Sequence, residues 1–266
     1  MPGFISYSVH ASNFEFVLSF LLLTCNWPKK IRKKKLESSF YCFNQIKSFL
    51  VEQLSRRCKT KVDLGIVIDG SESIGANNFE AFKTFVETLV SNFGVSDSST
   101  RVSLIVFGSD SKLIFPLGQL VAYSQFQRMM SNLRYPGGSS RLDLAMIQAS
   151  TMFDSGNGGR QGTPKILIVA SDGIQSLSTG LADIKLSADK LRNNGVLIYT
   201  VSAGQRFDYA RLREIAGDRS RTYIASRYDA LIADSFLQSI ASSACKNSGM
   251  FISFHHECYP ISKEIF

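Results

Sequence analysis

The stretch Val62 to Ser73, Val-Asp-Leu-Gly-Ile-Val-Ile-Asp-Gly-Ser-Glu-Ser, constrains this chain more than any other. Val62 to Ile68 is short, β-branched and nearly continuous in apolar residues. That pattern predicts a strand buried on both faces, as in a parallel sheet. Asp69 then falls where the strand leaves the sheet, and Gly70 permits a sharp turn. Asp69, Ser71 and Ser73 alternate, so three oxygens can converge from one loop. Three hard donors with one negative charge suit a divalent cation such as Mg²⁺, which favours oxygen ligands and keeps several waters. Asp and Ser before a helix also serve as N-caps, and these residues alone leave both readings open.

The chain beyond this stretch alternates strands and helices. Phe79, Phe82, Val86, Leu89, Val90 and Phe93 recur at three- and four-residue steps, which predicts an amphipathic helix over 77–93 with its aromatics in the core. Residues 102–107 form a second apolar run. A tight turn at 108–111 leads to a short strand, 112–115, ended by Pro116. Strands joined so closely must pair antiparallel. A short helix is expected over 124–133. After Pro136-Gly137-Gly138, the spacing of Leu142, Ala145, Met146, Ala149 and Phe153 predicts a helix over 142–153. Ser139 and Ser140 stand at its mouth, where simple N-capping is the plainer role.

Residues 165–171 predict a third parallel-type strand, ended by Asp172-Gly173, which repeats the logic of Asp69-Gly70. A helix over 181–193 stops at Asn194-Gly195. A strand over 196–201, a helix over 209–216, a short edge strand at 223–224 and a final helix over 228–244 complete the body. The expected fold is α/β: a doubly wound, mostly parallel six-stranded sheet with one antiparallel edge strand and helices on both faces. Ligands of such sheets bind outside the carboxyl ends of the strands, near a topological switch point. Asp69 and Asp172 both fall at such ends, and Ser140 lies in a loop able to reach them.

The net charge of +8 suggests nucleic-acid binding until it is located. Residues 1–60 hold ten Lys/Arg against three Asp/Glu, while residues 61–266 hold twenty against nineteen. The body is nearly neutral, so no nucleic-acid partner is expected. The apolar run 16–25 is too short to span a membrane, which takes roughly twenty residues. No Lys or Arg precedes it and no clear small-x-small site follows, so a signal sequence is not clear in residues 1–25. The basic run 29–35 reads as a solvated arm, with a targeting or surface-binding role as the alternative. A further reading is that residues 1 to about 55 stem from a faulty gene model. Residues 1–57 are expected to be a poorly ordered or artefactual extension, 58–245 one domain, and 246–266 a tail.

Here the residues resemble a known family. Asp69-Gly70-Ser71-Glu72-Ser73 matches the Asp-x-Ser-x-Ser signature of von Willebrand factor type A domains. Gly137-Gly138-Ser139-Ser140 resembles their Gly-Gly-x-Thr segment, and 168–173 their apolar strand ending in Thr-Asp-Gly. The resemblance implies a metal-ion-dependent adhesion site. Ser71, Ser73 and Ser140 would be direct ligands of Mg²⁺, with Mn²⁺ as an alternative, and Asp69 and Asp172 would act largely through water. One coordination position would stay open for a carboxylate of a protein ligand, such as collagen or another matrix or cell-surface protein. Ser140 in place of Thr loses the methyl that stiffens the rotamer. Leu142 and Asp143 stand where the family often has Thr and Gly. Asp143 is expected to favour the helix N-terminus rather than turn into the site.

Secreted members often join the two ends of the domain by a disulfide, which the resemblance places at Cys58 and Cys245. Such a bridge closes a loop worth on the order of 5 kcal/mol before strain, and it implies an oxidising, extracellular compartment. Cys25, Cys42 and Cys258 have no evident partner. The function expected is therefore an extracellular adhesion module, not an enzyme. An intracellular assembly subunit of the same fold is the alternative. A Mg²⁺-dependent phosphotransferase using Asp69 is disfavoured by Ser71, which stands where that chemistry puts a second Asp. No Walker A motif occurs, and His10, His255 and His256 all lie outside the body, so no Ser/His/Asp triad can form within it.

Overall fold

A computed structural model describes residues 61–120, 122–176 and 180–247. The N-terminal extension, Cys58 of the expected disulfide and the tail from 248 onward lie outside the described residues.

Six strands form one sheet: β1 (Val62–Asp69), β2 (Thr100–Phe107), β3 (Ser111–Phe115), β4 (Lys165–Ala170), β5 (Val196–Ala203) and β6 (Thr222–Ala225). Their order is β3-β2-β1-β4-β5-β6. All neighbours are parallel except the β2–β3 pair, which is the antiparallel edge hairpin that the tight turn requires. β1 is buried along its whole length, as its unbroken apolar run predicts.

Among the described residues, three helices cover each face. On one side pack α1 (Ala76–Ser91), α2 (Tyr123–Asn132) and α6 (Asp234–Asn247). Their Phe79, Phe82, Phe85, Phe126, Leu237 and Ile240 share one buried apolar cluster with Val62, Leu64, Ile66 and Ile68 of β1. On the other side pack α3 (Leu142–Ala149), α4 (Leu181–Asn193) and α5 (Tyr209–Ala216). There Met146, Ile184, Leu191 and Ile215 meet Val67, Leu167 and Val169. Gly65 lies on this second face, where a Cβ would collide with Met152 Sδ and the Phe153 ring. A side chain there would push the α3 layer off the sheet.

Two expected helices are shorter. α3 ends at Ala149 rather than Phe153, because Ser150 and Thr151 turn their hydroxyls back onto the carbonyls of Ile147 and Gln148 (2.7 and 3.0 Å). Such back-bonding competes with the next helical turn. The final helix does not start at Tyr228. A 3-10 turn over Tyr228–Ile232 comes first, Ala233 is extended, and α6 begins at Asp234. The break lets Leu231 bury completely and sets the Tyr228 ring edge-on to Phe82, 5.3 Å away. Among the described residues no helix is long and apolar enough to cross a membrane.

The strand order fixes where a ligand can sit. The chain leaves β1 toward β2 on one side and later returns to place β4 on the other. Loops at the carboxyl ends of β1 and β4 therefore diverge and open a crevice between them. Asp69 ends β1, and Asp172 follows β4 by two residues.

Candidate metal and ligand site

Three loops meet at this crevice and are bonded to each other through the backbone. The Gly137 N–H donates to the Gly70 carbonyl (3.0 Å) and the Glu72 N–H to the Gly138 carbonyl (2.8 Å). On its other side, the same Gly-Gly-Ser-Ser loop bonds the segment after β4. The Ser140 N–H donates to Ser176 Oγ (2.8 Å), and the Ser176 N–H donates to the Ser140 carbonyl (3.0 Å). Gly70 cannot carry a side chain, since its Cβ would strike the Pro136 ring. The loops are thus held as one unit, with little of their geometry left to chance.

Helix capping does not explain the polar residues. The N-cap positions of α1 and α3 are Gly75 and Arg141, and neither makes a side-chain cap. Asp69 is fully buried and spends its oxygens inside the site. Its Oδ1 accepts from the Ser71 N–H (2.9 Å) and the Ser71 hydroxyl (2.6 Å), and its Oδ2 accepts from the Ser171 hydroxyl (2.7 Å). The Ser140 hydroxyl donates to the Ile174 carbonyl (2.6 Å). Asp172 accepts from the Ile174 N–H (2.9 Å) and from the Ser73 hydroxyl.

Ser71 Oγ and Ser73 Oγ lie 3.1 Å apart. Each hydroxyl has one proton, and each has a carboxylate to give it to: Asp69 for Ser71, Asp172 for Ser73. The 3.1 Å contact between them is itself a hydrogen bond in which either oxygen can donate, so the two hydroxyls link the two carboxylates and keep lone pairs available. A cation suits that arrangement, and the donor set (hydroxyls plus two carboxylates) is all hard oxygen. Ser71 is buried while Ser73 is exposed, so the donors lead from the sheet to solvent.

The electrostatics point the same way. Burial first, and then the charge of Asp172, push the Asp69 carboxyl from 3.8 to about 7, against the hydrogen bonds from Ser71 and Ser171. Asp172 is also raised by burial, opposed by its bonds from Ser73 and Ile174 and by the charge of Arg206. Two buried carboxylates side by side are costly in the ionised state, and a divalent cation would remove that cost.

The structure brings Asp69, Ser71, Ser73 and Asp172 into one hydrogen-bonded chain and joins the Ser140 loop to it. Asp143 stays out. It sits in the first turn of α3, paired in bidentate fashion with Arg141 (2.9 and 2.8 Å), and it accepts from Gln175 (2.8 Å). The Arg141 pairing leads the causes that hold its pKa below the usual value. Three further residues take part that the sequence alone did not single out. Ser171 anchors Asp69. The Tyr135 hydroxyl donates to the Ser71 carbonyl (3.2 Å). Tyr228 is pushed up to about 12 by burial and then by the charges of Asp172 and Asp69. Ser171 had a signal, a hydroxyl beside the strand-ending Asp. The tyrosines had none: Tyr135 stands just before the Gly-Gly-Ser-Ser loop without a pattern of its own, and Tyr228 arrives from a distant turn.

Residues 63–238 match the sequence model of the family described as von Willebrand factor type A domain. Matrilin-4 of Homo sapiens is 29% identical over 201 residues, which cover 73% of this chain and 31% of that protein. The chain spans less than a third of the length of the first curated relatives it matches. Among solved structures, proximal thread matrix protein 1 from the mussel byssus, with a zinc-occupied MIDAS motif, aligns with a TM-score of 0.62 and 20% identity. That alignment covers 71% of this chain and 47% of the other. Manganese-loaded TRAP protein of Plasmodium vivax aligns with a TM-score of 0.56 and 22% identity, covering 67% of this chain and 74% of the other. At these identities the structural likeness establishes the fold. With the family match spanning most of the described body, the chain belongs to the von Willebrand factor type A domain family.

Proposed function

We propose that residues 58–245 form an extracellular protein-binding module whose site holds a divalent cation, Mg²⁺ or Mn²⁺, and through it a carboxylate of a protein ligand. Ser71, Ser73 and Ser140 would be direct ligands. Asp69 and Asp172 would hold coordinated waters and balance the charge. The cation would supply an electrophilic open position for an acidic side chain, because few carboxylates bind it directly. The observation that carries this reading is the pair of hydroxyl oxygens Ser71 Oγ and Ser73 Oγ, 3.1 Å apart, set between two buried carboxylates. Solved structures of the same fold with zinc- or manganese-loaded sites support the choice of a divalent metal.

The reading is of binding rather than catalysis: the carboxylates beside Ser71 and Ser73 are assigned to holding the cation's waters and balancing its charge. Relatives that include a matrilin and a byssus thread matrix protein favour a secreted matrix setting. A Cys58–Cys245 bridge would suit that setting, and a matrix or cell-surface protein such as collagen is the partner class proposed. The extension 1–57 and the tail 246–266 are left outside this function.

Calorimetric titration of Mg²⁺ and Mn²⁺ into the oxidised full chain tests the site, beside Asp69→Ala and Ser71→Ala. Saturable binding that both substitutions abolish is expected. Wild-type protein that folds and takes up neither metal would overturn the proposal.

A further inference from the structure

The rim of the crevice is electrically lopsided. On the β1 side stands Glu72, exposed. On the opposite side runs the loop 204–208 between β5 and α5. That loop is fixed to the site, because the Asp208 N–H donates to the Asp172 carbonyl (2.7 Å) and the Gly204 N–H to the Ala225 carbonyl (3.1 Å). Two residues before Asp208 comes Arg206, exposed, with its charge acting on Asp172. Among the described residues it makes no hydrogen bond or ion pair, whereas Arg141 is engaged by Asp143 and Arg227 by Asp229. An unengaged guanidinium beside an anchored loop is a ready fork for a carboxylate.

We infer that Arg206 binds a second carboxylate of the ligand, so that the site selects an acidic segment with two carboxylates rather than one. The inference rests on the metal-bridged reading above and adds a direction to it. The first carboxylate sits on the cation, and the second lies toward the β5–α5 loop, away from Glu72, which would repel it. Arg206 thus sets ligand choice and orientation without holding the metal. Since it stands close to Asp172, its positive charge slightly opposes cation binding. Removing it therefore affects metal and ligand in opposite directions.

Fluorescence anisotropy of labelled glycine-rich peptides tests this on the full chain in saturating Mg²⁺. One peptide carries a single Glu, and a series adds an Asp one to four residues away. At least one two-carboxylate peptide is expected to bind roughly two- to fivefold tighter than the single-Glu peptide, with the gain lost in high salt, as befits a rim charge. Arg206→Ala should erase the gain while leaving Mg²⁺ affinity equal or slightly tighter. Arg206→Glu should reverse the preference, and Glu72→Gln should preserve it. Equal binding of both peptide classes to wild type, with Mg²⁺ dependence intact, would overturn the role of Arg206 and leave the metal-bridged reading standing. A preference that survives in Arg206→Ala, alongside altered Mg²⁺ affinity, would reduce Arg206 to a partner of Asp172 and overturn the inference. If no peptide shows Mg²⁺-dependent binding, both readings fail together.

Discussion

β1 carries a buried aspartate at each end, on the same face of the same strand, and the two are treated in opposite ways. Asp63, at the start, is met by Arg160. The guanidinium Nε donates to Oδ1 (2.8 Å) and the Arg160 backbone N–H to Oδ2 (2.7 Å). The same guanidinium also donates to the carbonyls of Val62 (2.9 Å) and Ser99 (2.8 Å), so that end of the sheet is neutral and its hydrogen bonds are filled. Asp69, at the finish, receives only hydroxyl and amide protons and faces a second carboxylate. Residue type, strand and burial are shared; what differs is whether the fold supplies the counter-charge. Where it does, the aspartate is a fastening. Where it does not, the shortfall defines what an added ligand must bring.

The largest expected effect is at the closed end. Arg160→Ala leaves Asp63 buried without its cation, which should cost about 3–5 kcal/mol of stability. Urea unfolding measures it, and the loss should be the same with and without Mg²⁺. Recovery of that loss on adding Mg²⁺ would erase the contrast between the two ends.

At the open end, pH should act next. The unfolded Asp69 carboxyl titrates near 3.8 and the folded one at about 7. Between those values the native state holds a proton that the unfolded chain has released, so metal-free stability falls as pH rises through the window. At about 1.4 kcal/mol per unit the fall approaches about 4 kcal/mol, and the raised pKa of Asp172 acts in the same direction. Cation binding needs the ionised form, so Mg²⁺ affinity should weaken as pH drops below about 7. Unfolding midpoints at pH 5 and pH 8, with EDTA and with Mg²⁺, read both slopes. Stability that rises with pH in EDTA would sink the assignment.

Asp69→Asn sharpens the comparison with a smaller effect of opposite sign to Arg160→Ala. It removes one of two adjacent buried charges, so the metal-free protein at pH 8 should gain about 1–3 kcal/mol, part of the relief being lost to poorer hydrogen bonding by the amide. The same variant should lose Mg²⁺ uptake. Stability and metal binding measured on one sample would then move apart.

These contrasts bear on what the sequence made legible. Both aspartates sit in one stretch, yet only Asp69 announced a site, because Gly70, Ser71 and Ser73 follow it with the spacing of a turn. Asp63 lies within an apolar run, and its partner is 97 residues away, a distance no local pattern bridges. The sheet was legible because buried parallel strands write themselves as continuous apolar runs, and the β2–β3 hairpin because its turn leaves room for nothing else. The end of α3 and the start of α6 were not, since they depend on hydroxyls folding back at Ser150 and on Leu231 finding the core. Asp143 shows the same limit. Its place in the first turn of α3 was readable, while its pairing with Gln175 required the β4 loop to be in position.

The smallest effect concerns Ser140, the residue that departs from the family's Thr. From the sequence, the missing methyl leaves the hydroxyl free among rotamers and should weaken the metal. In the fold, that freedom is already curtailed. Ser140 is buried, its hydroxyl is held by the Ile174 carbonyl at 2.6 Å, and its N–H is held by Ser176 at 2.8 Å. The β4 loop therefore does the stiffening that a β-branched side chain would otherwise provide. Ser140→Thr should change Mg²⁺ affinity by less than about threefold, roughly 0.6 kcal/mol, while Ser140→Ala, which removes the oxygen, should weaken it about tenfold or more. A large tightening by Thr in the same titrations would mean that the loop clamp is loose. The open end of the sheet would then be less firmly built than the closed one.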